Sequence, residues 1–513
     1  MTRAALVALL LAAAPARAEK PAPAEANVAQ FALIIGVNHA AEPNLPTLQY
    51  ADDDAASYED LFRLLGARTY LLSRLDENTQ RLHPQAAAEA REPTRKQLDE
   101  VVKQLASDVA QAKARQLSTV LYFVYAGHGN VEGDVGYLSL EDARLTGHTL
   151  AHDVLEAIDA DRAHLIVDAC YSFFLAYGRG PGGSRRPLRN FTQTPELASN
   201  DKWGLLLSTS SARESHEWEG FQAGVFSHEV RSGLYGAADA DGDGWVSYPE
   251  MVAFIQRANG AIANDKFRPD VFARPPKGSD LLADLRQAES RHIEIQGKEH
   301  AHYLLEDGRG VRLADFHNGP SQTTRLLHPV GAGPLYLRRL DTDQEFSIPP
   351  AEDVVTVASL EPSTPRVATR GAAHDAFSLL FSLEFSRADV GPMPTLLELD
   401  RRNEEPSIFA DRHTWGWLSV GAGIVGGGAA VVAVSQAESA RRSVAPHASQ
   451  ADAANANARI RSDNRLAWIL GGVGVAAETA GVALLLWPDG DGDHSLSLVG
   501  TPTSASVAWA TSF

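Results

Sequence analysis

The chain holds a single cysteine, Cys170, among 513 residues. It lies in the stretch Asp168, Ala169, Cys170, Tyr171, Ser172, directly after the apolar run 165–167. A histidine, His128, occupies the matching place after the apolar run 120–124, between Gly127 and Gly129. A thiol near its ordinary pKa is mostly protonated, and the thiolate is the nucleophile. An imidazole within reach takes that proton and later returns one to a leaving amine. Gly129 has no side chain to keep a substrate carbonyl from its backbone N–H, so that N–H and the one of Cys170 are candidates to hold an oxyanion. A lone cysteine has no internal disulfide partner, which makes a chemical role the first reading to consider.

A second group of chemically committed residues occupies 239–250, which reads DADGDGWVSYPE. It fits the twelve-residue EF-hand calcium loop. Asp239, Asp241 and Asp243 stand at positions one, three and five, and Gly244 is at the sharp turn. Trp245 offers its carbonyl at seven, Ser247 is at nine, and Glu250 can bind through both oxygens at twelve. Calcium is therefore an expected ligand. The loop joins a helix expected over 226–236 to one over 251–258. Only one such loop is visible, so a structural or activating role fits better than paired sensing.

These residues need a frame. Residues 31–37, 69–73, 117–125, 163–167 and 203–209 read as buried strands, and 51–65 and 94–114 as helices, the latter with Leu98, Val101, Val102, Leu105 and Val109 on one side. Such alternation predicts an α/β fold with a mostly parallel sheet flanked by helices. His128 and Cys170 then fall at the C-terminal ends of strands, the edge where open α/β sheets bind ligands. Residues 179–200 are rich in Gly and Pro and carry Arg179, Arg185, Arg186 and Arg189, which marks an exposed linker. From 290 to 365 short apolar runs alternate with turn residues, which predicts a small all-β module.

With these residues in view, the region 31–261 resembles the caspase/metacaspase group of clan CD cysteine peptidases, of the peptidase C14 type. The histidine-glycine after one strand and the acid-Ala-Cys after the next carry the likeness. So do Gly36, Val37 and Asn38 after the first strand, and Ala51, Asp54 and Ala55 at the start of the first helix. The family cysteine follows its histidine by roughly 50 residues; here the interval is 170 − 128 = 42. The resemblance implies a caspase-like peptidase domain over 27–261 with His128 and Cys170 as the catalytic dyad. One departure is Phe173, where the family usually has glycine. Caspases that cleave after aspartate have a glutamine two before the cysteine, where this chain has Asp168. Together with Asp54, in the cluster 52–54, Asp168 predicts a pocket for Arg or Lys in a protein or peptide substrate. The bland reading of Asp54 is a helix cap. A basic preference makes the bonds after Arg185 and Arg189 candidate self-cleavage sites. The alternative to an active, calcium-dependent endopeptidase is an inactive caspase-like scaffold held at a membrane.

Export and anchoring are also written in the sequence. Arg3, the apolar run 4–14 and the small-x-small residues 16–18 predict a signal peptide over 1–18. Residues 415–434 are uncharged and long enough to span a bilayer, and 466–487 nearly so, with Glu478 inside. Trp415, Trp417, Trp468 and Trp487 sit at their ends. Gly423 and Gly427 have the spacing of close helix contact, as do Ala477 and Gly481. Arg441, Arg442, Arg459, Arg461 and Arg465 between the stretches predict a cytoplasmic connection, with the peptidase domain on the periplasmic or extracellular side and a tail over 488–513. With 46 Lys and Arg against 65 Asp and Glu the net charge is −19, which disfavours nucleic acid as a partner.

Overall fold

The structure, a computed structural model, describes residues 27–43, 45–132, 135–169, 196–208, 217–262, 271–288, 290–329, 333–364, 379–393, 412–442, 450–486, 494–501 and 504–511. The signal peptide 1–18, most of the linker, Cys170, Phe173, Arg185 and Arg189 lie outside them. The chain divides into two compact units, 1–395 and 396–513.

The first unit is built on a six-stranded sheet. Its strands are β1 (Val28–Val37), β2 (Arg68–Ser73), β3 (Ser118–Gly127), and further along the chain Arg162–Asp168, Trp203–Ser208 and Val271–Arg274. A small three-stranded sheet follows His128, made of β4 (Gly129–Glu132), β5 (Val135–Ser139) and β6 (Arg144–Thr146). The later sheet strands are then β7, β8 and β12. The order is β12-β8-β7-β3-β1-β2. Neighbours from β2 to β8 pair in parallel, and β12 closes the edge antiparallel to β8. The sheet is therefore mixed. Five strands are legible because a parallel strand covered on both faces is apolar almost throughout; β1 is buried from Phe31 onward. Four-residue β12 carries too short a signal to be read.

Helix α1 (Ala51–Leu64) covers one face through Tyr58, Leu61 and Phe62. Helix α4 (Arg95–Ala114) starts at Thr94, whose hydroxyl accepts from the Gln97 N–H, and buries Leu98, Val101, Val102, Leu105 and Val109. Two short helices, α2 (Glu77–Leu82) and α3 (Pro84–Glu89), lie between them in sequence.

The strands after residue 290 form sheets of three and four strands, but they are not a free-standing module. Ile293, Tyr303, Leu305, Phe316 and Leu326 belong to one apolar cluster with Phe226, Val230, Met251 and Phe254 of the preceding helices. The second unit holds two long helices, Arg412–Arg442 and Gln450–Leu486, and a two-stranded hairpin. A Cβ placed on Gly423 would lie 2.7 Å from the Gly474 carbonyl oxygen, so the two backbones approach as closely as glycine allows. Of the described helices, Trp417–Arg442 is long and apolar enough to cross a membrane.

Candidate active site

Three strand ends build the site. β1 and β3 run in register, with Gly36 opposite Ala126, and Ala126 is in turn opposite Asp168 at the end of β7. Asn38 follows β1, His128 follows β3, and Ala169 and Cys170 follow β7. His128 stands two residues beyond Ala126 on this edge of the sheet, and in sequence Cys170 comes two residues after Asp168.

His128 is nearly buried, at 8% exposure. Its carbonyl accepts from the Ser139 N–H at 3.0 Å and from the Tyr125 hydroxyl at 2.8 Å. A side chain at Gly127 would meet that hydroxyl at 2.6 Å, so the turn into His128 requires glycine. The imidazole Nε2 lies 2.6 Å from the Pro46 carbonyl oxygen. A carbonyl only accepts, so Nε2 carries the proton and Nδ1 presents the lone pair. The ring is thus oriented as a base by a third group, the arrangement that general-base activation of a nucleophile needs. Because the His128 carbonyl faces β5, alternation along β4 turns the Gly129 N–H away from β5. That donor is not used by the hairpin.

The acidic cluster at the start of α1 separates into three roles. Asp52 is buried and accepts from the Asn38 side-chain amide at 2.7 Å and from the Asp76 N–H at 2.9 Å. Burial, with Asp52 alongside, pushes the Asp53 carboxyl up to about 7. Asp54 accepts from the Gly224 N–H at 2.7 Å and from Arg231 at 3.0 Å. It does not cap its helix: Asn38 Oδ1 accepts from the Ala51 and Asp52 N–H groups at 2.9 and 3.3 Å and takes that place. Asp54 and Asp168 do converge, since a Cβ on Gly224 would lie 3.0 Å from an oxygen of the first and 2.5 Å from one of the second. Arg231 is 2% exposed and pairs with Asp54, whose carboxyl burial nonetheless pushes well above its ordinary range; beside it stands the half-buried Asp168. Its carboxyl accepts from the Ser227 N–H at 3.0 Å, and burial pushes it up to about 6.

Sequence reasoning missed Pro46, Glu217 and Arg231. Glu217 accepts from the N–H groups of Gln49 and Tyr50, next to the Pro46 turn. Its only signal was position, in a charged segment after β8, a strand whose C-terminal end shares the site edge. Arg231 is the one Lys or Arg in the helix Val225–Ser232, all of which is buried.

The 239–250 loop lies elsewhere in the same unit. Carboxylate oxygens of Asp239, Asp241 and Asp243 come within 4.8 Å of one another. Asp239 accepts from the N–H groups of Gly242, Asp243 and Gly244, and Gly244 has φ +81°, as the sharp turn requires. Trp245 and Ser247 form a short strand with Val246, pairing with Leu281–Asp284. Glu250 is turned to Ser247, in the capping box of helix Tyr248–Asn259, and to the Ala240 N–H at 3.1 Å. The aspartates and the turn fit a cation loop, while Glu250 in this state serves the helix cap.

A mixed, mostly parallel α/β sheet here carries an oriented histidine and an acidic residue at adjacent strand ends. Residues 29–361 match the family model of the caspase domain, peptidase C14, and the chain belongs to that family, whose members are cysteine peptidases. Similar solved structures include the Drosophila initiator caspase Dronc, at 10% identity over 50% of this chain and 82% of that one, with a TM-score of 0.32. Another is pro-sf-caspase-1, at 13% identity over 52% and 96%, with a TM-score of 0.31. No curated protein matches. The family match ends at residue 361, beyond the strands that run from His292 to Thr356, so those strands are part of the domain.

Proposed function

We propose that the chain is a cysteine endopeptidase that cleaves after Arg or Lys, with Cys170 as nucleophile and His128 as base. The observation that carries this reading is the His128 ring, fixed through Nε2 on Pro46 at the strand end beside the one that leads to Cys170. The Cys170 thiol gives its proton to Nδ1, and the sulfur attacks the scissile carbonyl carbon. The N–H groups of Gly129 and Cys170 hold the resulting oxyanion. As the C–N bond breaks, His128 returns the proton to the leaving amine, and water then hydrolyses the thioester. Asp168 pairs with the basic side chain before the scissile bond, and Asp54 with Arg231 shapes the wall behind it. Bonds after Arg185 and Arg189 are self-cleavage candidates. Calcium binds at 239–250 through Asp239, Asp241, Asp243, the Trp245 carbonyl, Ser247 and, on rotating from its cap, Glu250, and supports activity. The chain is exported by 1–18 and anchored through 415–434 and 466–487. Val425 at 73% exposure and Trp468 at 84% present apolar flanks suited to lipid.

The test is a fluorogenic assay with matched Arg and Asp peptides, with and without Ca²⁺, on wild type and Cys170→Ala. Turnover of the Arg peptide that falls by about three orders of magnitude in Cys170→Ala supports the reading. Hydrolysis of only the Asp peptide ends the basic preference. Turnover that survives Cys170→Ala ends the mechanism.

A further inference from the structure

The Pro46 carbonyl can orient His128 only if the turn that carries it is held still. That turn leads from the end of β1 into α1 and has no regular structure of its own. Leu48 donates its N–H to the Asn38 carbonyl at 3.0 Å, which fixes one side. The other side is fixed by Glu217. Its Oε1 accepts from the Gln49 N–H at 3.1 Å and the Tyr50 N–H at 2.9 Å, and its Oε2 accepts from Gln49 at 3.1 Å. Glu217 is itself positioned by the short ladder it forms with Gly224, whose N–H holds Asp54.

We propose that Glu217 is a positioning residue for His128, clamping residues 46–50 so that the Pro46 carbonyl holds the imidazole in one tautomer and one orientation. This rests on the peptidase reading above. The charged and titratable groups around Glu217 are His128, Tyr50, Asp52, Asp168 and Glu219. Burial pushes the Glu217 carboxyl up, and the two backbone donors and His128 oppose that. The clamp requires acceptor oxygens rather than charge. A glutamine whose amide oxygen takes the place of Oε1 keeps both hydrogen bonds, whereas alanine keeps neither.

The test compares Glu217→Ala and Glu217→Gln in the full chain, using the Arg reporter and hydrogen exchange of the peptide spanning 45–50. In Glu217→Ala, kcat falls about tenfold with KM within about twofold, and the Gln49 and Tyr50 amides lose protection. In Glu217→Gln, kcat stays within about threefold and protection is kept. Unchanged kcat in Glu217→Ala, a loss confined to KM, or equal losses in both variants overturns the proposal. A wild type without Cys170-dependent turnover sinks the peptidase reading instead. The clamp is then judged by exchange alone, and unchanged protection in Glu217→Ala refutes it.

Discussion

At the scale of residues, the site is governed by how carboxylates are compensated after burial. Asp54 meets a guanidinium and a backbone N–H, Asp168 meets Ser227 with Arg231 acting on it through space, and Asp53 has Thr79 and the same through-space pull of Arg231 to set against its burial. Asp168 must be ionised to bind a substrate cation, and its carboxyl is raised to about 6. The KM for an Arg peptide is therefore expected to rise as pH falls through about 6. Asp168→Asn should raise KM by about tenfold at pH 8 and flatten that dependence, since one charged hydrogen bond is worth about 1.5–3 kcal/mol. Initial rates from pH 5 to 8 check this, and an unaltered KM in the variant rules Asp168 out of the pocket. Asp53 makes a prediction about stability. Folded, it keeps its proton up to about pH 7, whereas its ordinary value is 3.8. Between those values the folded state binds more protons, so stability falls as pH rises, and the full cost is present above about 7. Asp53→Asn should raise stability at pH 8 by on the order of 1 kcal/mol or more, seen as a higher melting temperature, and leave it unchanged near pH 4. Melting curves at both pH values measure it. A gain at pH 4 equal to that at pH 8 would show that packing, not ionisation, is responsible.

At the scale of elements, local patterns were readable and remote partners were not. The strands β1, β3, β7 and β8 and the helix α4 announce themselves through burial on both faces or one stripe. His128 follows from its place after β3. The cap of α1 does not, because Asn38 supplies it from thirteen residues upstream of Ala51. Pro46, Glu217 and Arg231 act on partners distant in sequence, and no periodicity records such pairs. The strands after residue 290 were readable one by one, but their sharing of a core was not, because alternation says which face is buried and not against what. The 239–250 loop is the opposite case, since its residues act on one another. Asp239 accepts from the Gly244 N–H, and Gly244 has a positive φ, while Glu250 is spent on the cap of the following helix. Ligand binding to the folded state stabilises it by about 2.7 kcal/mol at one hundred times Kd. Saturating Ca²⁺ should raise the melting temperature of wild type over that in chelator, and Asp241→Asn should lose most of the gain. Calorimetry that shows the same melting temperature with and without Ca²⁺ would remove the calcium site.

At the scale of the whole molecule, the strands beyond residue 290 decide whether the peptidase core can exist without them. The helix Val225–Ser232 carries Ser227 and Arg231 toward the site and His228 away from it. His228 Nε2 lies 2.8 Å from Asp315 Oδ2, with both residues fully buried. Burial alone would raise the Asp315 carboxyl, but Arg312 and His228 hold it well below its ordinary range. Asp315 also donates its N–H to Ser232 at 3.0 Å, and Arg312 reaches the Gly220 carbonyl at 2.9 Å. Further along, a Cβ on Gly236 would lie 2.1 Å from the Arg325 carbonyl oxygen, so the two backbones touch there. Gln322 donates to the Asp239 carbonyl at 3.2 Å, which ties the 239–250 loop to the same strands. A chain ending after Arg286 would lose these bonds and uncover Phe226, Val230 and Phe254. Each large apolar side chain returned to water costs about 1.5–3 kcal/mol, and a domain has about 5–15 kcal/mol in all. Loss of Ile293, Tyr303, Leu305, Phe316 and Leu326 from the shared core therefore exceeds what the remainder can bear. The chain cut after Arg286 should be insoluble, or should bind an apolar dye and melt without a cooperative transition. A chain cut after Thr395, at the boundary between the two units, should melt cooperatively. If the shorter chain melted as sharply as the longer and at a similar temperature, the strands would be an appendage. The helix Val225–Ser232 would then owe its position to the six-stranded sheet alone.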